Sequence, residues 1–398
     1  MAILFCTGLC STAPAQWVAT NGPSDAPIEC FAVNGNNLYA GTSRGGVFLS
    51  TNNGTSWTHV DSGLRDTTVT VLALSGTNLF AGTYGDGVFL STNNGTSWSP
   101  VDSGMTNLTV LSFAVSGTTL FVGTFGGIFL STDNGTSWTQ SGMPDTHITR
   151  MAVSGTNLFA GTGGANADGV FLSTDNGTSW SEHNTGLSSA SQVSAFAVSG
   201  TNIFAGTDHG VFISTKNGGS WTSAINGWDY SHVADFAFSG TNIFASSGYG
   251  GLYRSTNNGI SWPLVAGPQG LIGPLVISGT YLLAGTHEGV VWRAPLSEMT
   301  TSVEGSATGF PAHFNLDQNY PDPFNPTTVV GFRLPVAGNV KLVVYDMVGR
   351  EVSVLVNERR DAGVYEARFD GSNLASGVYF YRLQAGEFVA TKRLILLK

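Results

Sequence analysis

Charged side chains are scarce in this sequence. Lys, Arg, Asp and Glu make up 11% of its 398 residues, and bases are rarer than acids, 16 against 26. The imbalance is local. Residues 1–300 hold 16 Asp/Glu against 6 Lys/Arg and so carry the whole formal charge of −10, whereas residues 301–398 hold 10 of each. A chain without a basic face lacks the electrostatic footprint of nucleic-acid binding, so no nucleic-acid partner is expected. Cysteine is nearly absent. Cys6 and Cys10 fall in the first fifteen residues and leave Cys30 alone in the body of the chain. No intramolecular disulfide can form there, and stability must come from packing. No apolar stretch reaches the ~18 residues that a membrane-spanning helix needs, so no transmembrane segment is expected. Helical periodicity is lacking too. Glycine, in contrast, is abundant, and it recurs at regular intervals.

The octapeptide S-T-N-N-G-T-S-W at Ser91–Trp98 returns, little changed, at Ser50–Trp57, Ser131–Trp138, Ser173–Trp180, Ser214–Trp221 and Ser255–Trp262. Its tryptophans are 40 to 42 residues apart, a period that suits four-strand propeller blades. Each unit supplies four strand-like runs. In the second, Val69–Leu74 alternates, Ser75-Gly76-Thr77 turns, Asn78–Thr83 and Val88–Thr92 follow, and Asn93-Asn94-Gly95 turns into a short run from Ser97. Asn-Gly suits a tight turn because both residues tolerate positive φ. The first-strand motif appears seven times, from Phe31–Gly35 to Val276–Gly279, but the seventh unit stops after Val290–Arg293 without a fourth strand. Gln16–Thr20 is an orphan fourth strand. The expectation is an all-β chain whose seven-bladed β-propeller is closed by its N-terminal strand, covering edges that would otherwise pair between molecules. A monomer is expected.

The S-x-[DN]-x-G-x-x-W pattern resembles the Asp box, or BNR repeat, of sialidase-type propellers. The residues that carry it are Ser50 and Trp57, Ser91 and Trp98, Asp133 and Trp138, Asp175 and Trp180, Trp221, and Trp262. Asn52, Asn93 and Asn257 replace the acid and keep an acceptor oxygen. Lys216 has none, which predicts a looser fifth turn. Six near-identical copies suit a hairpin staple better than a calcium or glycan site, and the tryptophans are expected to wedge between blades. The N-G-T triplets at Asn53, Asn94, Asn134 and Asn176 match the glycosylation sequon but read first as turns.

Comparing the repeats with one another locates a candidate site. The box and S-G-T-N turns scarcely vary; the loops between second and third strands do, as do the links between units, and function on rigid scaffolds concentrates on such loops. The cluster expected to bind a ligand is Tyr84, Asp86, Asp208, His209, Trp228, Asp229, Tyr230, His232, Tyr249, His287 and Glu288. Aromatic rings with acids and histidines suit a glycan or a peptide. His209, His232 and His287 come from different units, so no metal is assigned, and no cofactor. A sialidase would need an arginine cluster, yet no arginine stands in the F-R-I-P context of that family. A xyloglucanase-like glycosidase places its acids in a cleft between two propellers, and this chain has one. Paired acids such as Asp208 and Asp229 could still serve as general acid and base. The reading favours a binding or adhesion module, with a glycoside hydrolase and a ligand-free structural protein as the alternatives.

The ends of the chain bear on its destination. Met1–Ala15 has an apolar run closing on Ala13-Pro14-Ala15, as in the tail of a secretory signal, though without a basic start. The propeller is expected over 16–296 and a polar linker over 297–312. Residues 313–398 read F-N-L-D-Q-N-Y-P-D-P-F-N-P-T-T, V-Y-D-M-V-G-R-E-V, G-S-N-L-A-S-G-V-Y-F-Y-R-L and T-K-R-L-I-L-L-K, with alternating strands such as Lys341–Tyr345 and Val378–Leu383. This pattern suits a small Ig-like β-sandwich. The stretch closely resembles the type A C-terminal sorting domain of the type IX secretion system, with Asp322 where Asn is usual. The resemblance implies the secretion machinery as partner and a secreted or outer-membrane-surface location. It also implies recognition through Gly377, Val378 and Tyr379 and through Lys392, Arg393 and Lys398.

Overall fold

The computed structural model describes residues 16–397 except 24–25, 165–168, 188–191, 229–231, 249–250, 266, 269, 301–314, 317–318, 320–321, 335–337, 362 and 387. The leader 1–15, most of the linker, Asp229, Tyr230, Tyr249 and Lys398 therefore lie outside the described residues. The chain divides into two compact units, 1–303 and 304–398.

Among the described residues, the strands of the first unit form seven four-stranded antiparallel sheets. The first strands are Ile28–Asn34, Val69–Ser75, Val110–Ser116, Ile148–Ser154, Val193–Ser199, Val233–Ser239 and Ile272–Ser278. Six sheets take their four strands in chain order; the seventh takes its last from the N-terminus, where Val18 pairs with Arg293 and Ala19 with Trp292. Each first strand lies beside that of the next sheet, and the seventh lies beside the first, so the seven strands enclose a common axis.

The second strands are buried almost end to end, as in Asn78–Thr83. A glycine next to last in six of them, replaced by Ser246 in the sixth sheet, sets the spacing between sheets. A Cβ on Gly82 would stand 2.5 Å from Val110 of the next sheet, and one on Gly285 2.6 Å from Ile28, so the contact from sheet seven to sheet one repeats the others. Hydroxyls at the first-strand bulges add polar ties. Thr70 donates to Gly82 O and to Val110 O in sheet three, and Thr149 and Ser194 make the same bridge onward to Val193 O and Val233 O. Such bridging leaves few buried carbonyls unpaired.

The third-to-fourth-strand turns are built alike. Asn53, Asn94, Asn134, Asn176, Asn217 and Asn258 all take positive φ, as do the glycines that follow them. In the second turn Ser91 Oγ accepts from Gly95 N at 2.8 Å and donates to Asn93 Oδ1, which accepts from Ser97 N at 3.0 Å. The fifth turn departs from expectation. Lys216 supplies no acceptor, yet Asn217 (φ 47) and Gly218 (φ 78) keep the shared backbone, and Ser214 Oγ still accepts from Gly218 N at 2.9 Å. The serine and the left-handed pair suffice to set the bend.

The tryptophans join sheets. Trp98 donates its indole N–H to Val60 O, Trp138 to Val101 O, Trp180 to Ser141 O and Trp221 to His183 O, each in the preceding sheet. Trp57 reaches back to Thr20 Oγ1 beside the N-terminal strand, and Arg293 of sheet seven donates to Asn53 O and Thr55 Oγ1 of sheet one.

In the third and fourth turns the acceptor is a carboxylate. Asp133 and Asp175 each take bonds from the hydroxyl and N–H of the serine four residues on, Ser137 or Ser179, and from the box serine. These bonds, the Ser137 and Ser179 hydroxyls foremost, hold both carboxyls down at about 2. A pKa depressed by folding contributes stability that is fully present above the ordinary carboxylate range and is lost as pH falls through the folded value. The parent should therefore lose thermal stability between pH 4 and pH 2 more steeply than D133N/D175N, whose turns copy the neutral Asn turns. Superimposed melting-temperature profiles would contradict this.

Leu296 and Met299 correct the expected start of the linker. Residues Glu298–Thr300 form one 3-10 turn whose Met299 is buried against sheets six and seven, and Met299 O accepts from Arg254. The first unit thus reaches at least to residue 300, because an apolar side chain anchors a segment that reads as polar.

Among the described residues, the second unit has a three-stranded sheet, Asn315–Leu316, Thr327–Leu334 and Gly363–Asp370, and a four-stranded sheet ordered Glu351–Arg360, Gly338–Tyr345, Gly377–Ala385, Phe388–Leu396. One core joins them, with Val330, Phe332 and Phe369 from the first sheet and Leu342, Val344, Tyr381 and Leu394 from the second. The alternation of side chains along each strand gives each sheet one apolar face to bury.

Candidate functional site

Antiparallel pairing decides which loops meet. Val69 pairs with Thr83, so the start of each first strand lies at the end of the second, next to the second-to-third-strand loop. The variable loops and the first-strand entries therefore gather at one mouth of the enclosed axis, away from the tryptophan turns.

One side of this mouth is aromatic. Tyr84, 51% exposed, meets Phe125, 38% exposed, edge-on at 5.9 Å, and Phe125 meets His147 edge-on at 4.3 Å. Loops of sheets two and three and the entry of sheet four supply these rings. Burial pushes His147 below the usual histidine value, favouring the neutral ring.

The other side is charged. Arg150 projects from the fourth first strand, and its charge acts on Glu29 and Cys30 of sheet one and on His232 and Asp235 of sheet six. Desolvation pushes the Glu29 carboxyl up, with His287 and Arg150 pulling it back. Glu29 is exposed by area, but a carboxylate facing an enclosed axis can keep accessible surface and still be poorly hydrated. Burial likewise raises Asp235, although its two oxygens accept from Phe236 N at 2.8 Å and Leu275 N at 2.9 Å. His232 is lowered by burial against the pull of Asp208. Desolvation and the neighbouring Glu29 charge push the thiol of half-buried Cys30 up to about 12, which keeps it protonated.

Of the residues expected from sequence, Tyr84 joins the aromatic side. His287 and Glu288 are exposed at the rim, and His209 Nδ1 sits 2.8 Å from Asp208 Oδ1. Asp86 is half-buried, its N–H held by Thr83 Oγ1 at 3.1 Å. Trp228 is a correction: at 6% exposure it belongs to the core between sheets five and six, 4.1 Å from the Tyr253 ring and 6.1 Å from Trp262. Its N–H bonds back to Ile225 O as Leu64 does to Asp61 O, Met105 to Asp102 O and Leu187 to Asn184 O, so it fills an apolar anchor position repeated along the chain. Among the described residues no group of three His, Cys, Asp or Glu is arranged to hold a metal. Glu29, Phe125, His147, Arg150 and Asp235 were not expected at the site. For Arg150 and Asp235 the signal lay in the third first-strand position, which reads Cys30, Val71, Ser112, Arg150, Ala195, Asp235 and Pro274 and so carries a charge in two units.

In the second unit Tyr379 is a second correction. It is buried, and its hydroxyl donates to Ala375 O at 2.8 Å, so it staples the core and cannot itself be read by a partner. Gly377 and Val378 open the same strand, Lys392 is half-buried and Arg393 is exposed.

Two families match the sequence. The DUF6242 beta propeller domain matches over 6–107 and 87–210, together residues 6–210, just over half of the chain. The chain belongs to the DUF6242 β-propeller family. The secretion system C-terminal sorting domain matches 318–397. This β-propeller thus carries the sorting tail of type IX secretion and is exported to the cell surface or the extracellular space. No curated protein matches it in sequence. Among solved structures it is similar to PorZ, a surface component of the type-IX secretion system of Porphyromonas gingivalis (16% identity, TM-score 0.56, 96% of this chain and 61% of that one). It is also similar to YCF48 bound to D1 peptide (14%, 0.60, 71% and 99%) and to the GH74 xyloglucanase of Xanthomonas campestris (16%, 0.57, 80% and 60%). At these identities the likeness is one of fold. The chain spans less than two thirds of the length of PorZ and of the xyloglucanase. No helix among the described residues is long and apolar enough to cross a membrane.

Proposed function

We propose that this chain is a seven-bladed propeller with degenerate Asp boxes, delivered by a C-terminal Ig-like sandwich, that binds an extracellular glycan as a monomer. The observation that carries the reading is the row of exposed Tyr84 and Phe125 and half-buried His147 at the mouth of the axis. Large rings left in water cost hydrophobic free energy, and three in contact give a rigid platform for the apolar face of a sugar ring. Asp86, two residues beyond Tyr84 in the same loop, adds an acceptor for hydroxyl groups. Proteins of this fold include one solved with a peptide and one named a xyloglucanase, so binding of a protein and glycoside hydrolysis are the rival outcomes.

The test is retention of the full chain on a panel of insoluble polysaccharides, with assay of the supernatant for new reducing ends. Retention on at least one, weakened roughly tenfold or about 1.4 kcal/mol by Y84A/F125A, is the expected result. Retention on none, or retention indifferent to that variant, would refute glycan binding at this row. New reducing ends would reassign the site to hydrolysis.

A further inference from the structure

The aromatic row at the mouth is not flat. Tyr84 and Phe125 stand at 85° to each other with ring centroids 5.9 Å apart, and Phe125 and His147 at 81° and 4.3 Å. Two rings in contact at nearly a right angle leave a corner between their faces, and with Tyr84 51% and Phe125 38% exposed the pair meets solvent. A sugar ring that stacks on one of these faces turns its edge, where its substituents stand, toward the other. The face of an aromatic ring is the negative end of its quadrupole, so the substituent it favours there is a cation.

The backbone fixes negative charge beside this corner. Asp66 Oδ1 accepts from Thr68 N and Oδ2 from Gly85 N, each at 2.8 Å. A carboxylate is thus pinned at the residue that follows Tyr84, and Asp86 comes next in the same loop. The links and loops that lead to the three rings, residues 61–68, 84–87, 102–109, 125–127 and 141–147, hold five Asp against one base, Arg65. His147 opposes this little, because its burial favours the neutral ring.

We propose that the glycan bound at this row carries a free amino group, its sugar ring stacked on one face of the Tyr84–Phe125 corner and its ammonium set against the other, with Asp66 and Asp86 as counter-charge. The proposal rests on the glycan reading of the row and narrows it to amino sugars. An N-acetyl group in the same place brings no charge to the ring face or the carboxylates, and a uronic acid is repelled by them.

The test is calorimetric titration of the full chain with short β-1,4-linked glucosamine oligosaccharides and with their N-acetylated counterparts, at about pH 6, above the carboxylate range. The amino form should bind at least tenfold more tightly than the acetylated one, and added salt should weaken the amino form more. Y84A and F125A should each weaken it at least tenfold. F125L, which stays apolar but has no ring face, should behave as F125A does. D66N should weaken the amino form alone, whereas a merely structural effect would move both. Equal affinity for the two oligomers would overturn the proposal. So would a preference for the amino form that survives in Y84A/F125A, since that is general attraction to an acidic propeller. Equal affinity alongside retention of a neutral polysaccharide that Y84A/F125A loses removes this inference and leaves the glycan reading standing; binding of no glycan removes both. The comparison of the two oligomers needs no variant, so a misfolded variant leaves the proposal falsifiable.

Discussion

Replacing Trp138 with Ala should lower the stability of the first unit by about 3–5 kcal/mol, the usual range for deleting a large buried aromatic. The ring is 2% exposed and packs with Phe80, Val88 and Phe129. Its backbone N–H bonds to Ser103 O and its indole N–H to Val101 O, both in the preceding sheet. The substitution thus removes the packing of one inter-sheet seam and strands a carbonyl as well. A finer comparison separates these effects. Trp138→Phe keeps much of the ring volume but leaves Val101 O unpaired, which costs about 1–3 kcal/mol. Trp262→Phe should be cheaper, because the buried Trp262 indole N–H has no acceptor to lose. There Trp228 occupies the place that Leu64, Met105 and Leu187 fill elsewhere, and the bulkier ring accompanies the lost bond. Urea unfolding of the full-length variants measures this difference; equal losses for the two Phe variants would show that the indole bonds do not matter.

Trp228 also shows why part of the site was illegible. It stands among Gly, Asp and Tyr in a link that differs between units, and variability alone reads as surface. Its place in the repeat, three residues beyond the turn carbonyl, is where Leu64, Met105 and Leu187 stand in other units, and position in the period outweighs local composition. Arg150, Glu29 and Asp235 failed in the opposite way. They lie inside strands, where period-two alternation assigns a residue to one sheet face or the other, and the first-strand bulge breaks that alternation. Register shifts at Ile28/Cys30, Ile148/Arg150 and Val233/Asp235 re-aim these side chains. The sheets themselves were legible because each Asn-Gly bend and each following tryptophan is fixed by local chemistry, and local chemistry repeats in the sequence.

The same logic gives the last strand its weight. A chain starting at Pro23 should lose about 3–6 kcal/mol and become prone to self-association. Trp17 packs against the core of sheets six and seven and contributes about 1.5–3 kcal/mol through burial. The pairing of Val18 with Arg293 and Ala19 with Trp292, the Thr20 N–H to Val291 O, and the Trp57 indole to Thr20 Oγ1 go with it, at about 0.5–1.5 kcal/mol for each hydrogen bond before the chain relaxes. Arg293 to Asn53 O and Thr55 Oγ1, and Ser278 Oγ to Asn53 Oδ1, remain to hold sheet seven to sheet one, so the unit should still fold. What it loses is cover for Val291–Pro295. An unpaired strand edge offers N–H and C=O groups to any other strand, and intermolecular pairing is the consequence. The unfolding midpoint in urea should fall, and light scattering should rise with protein concentration in the truncated chain but not in the parent. An unchanged midpoint with no scattering would mean that the side-chain ties alone close the ring.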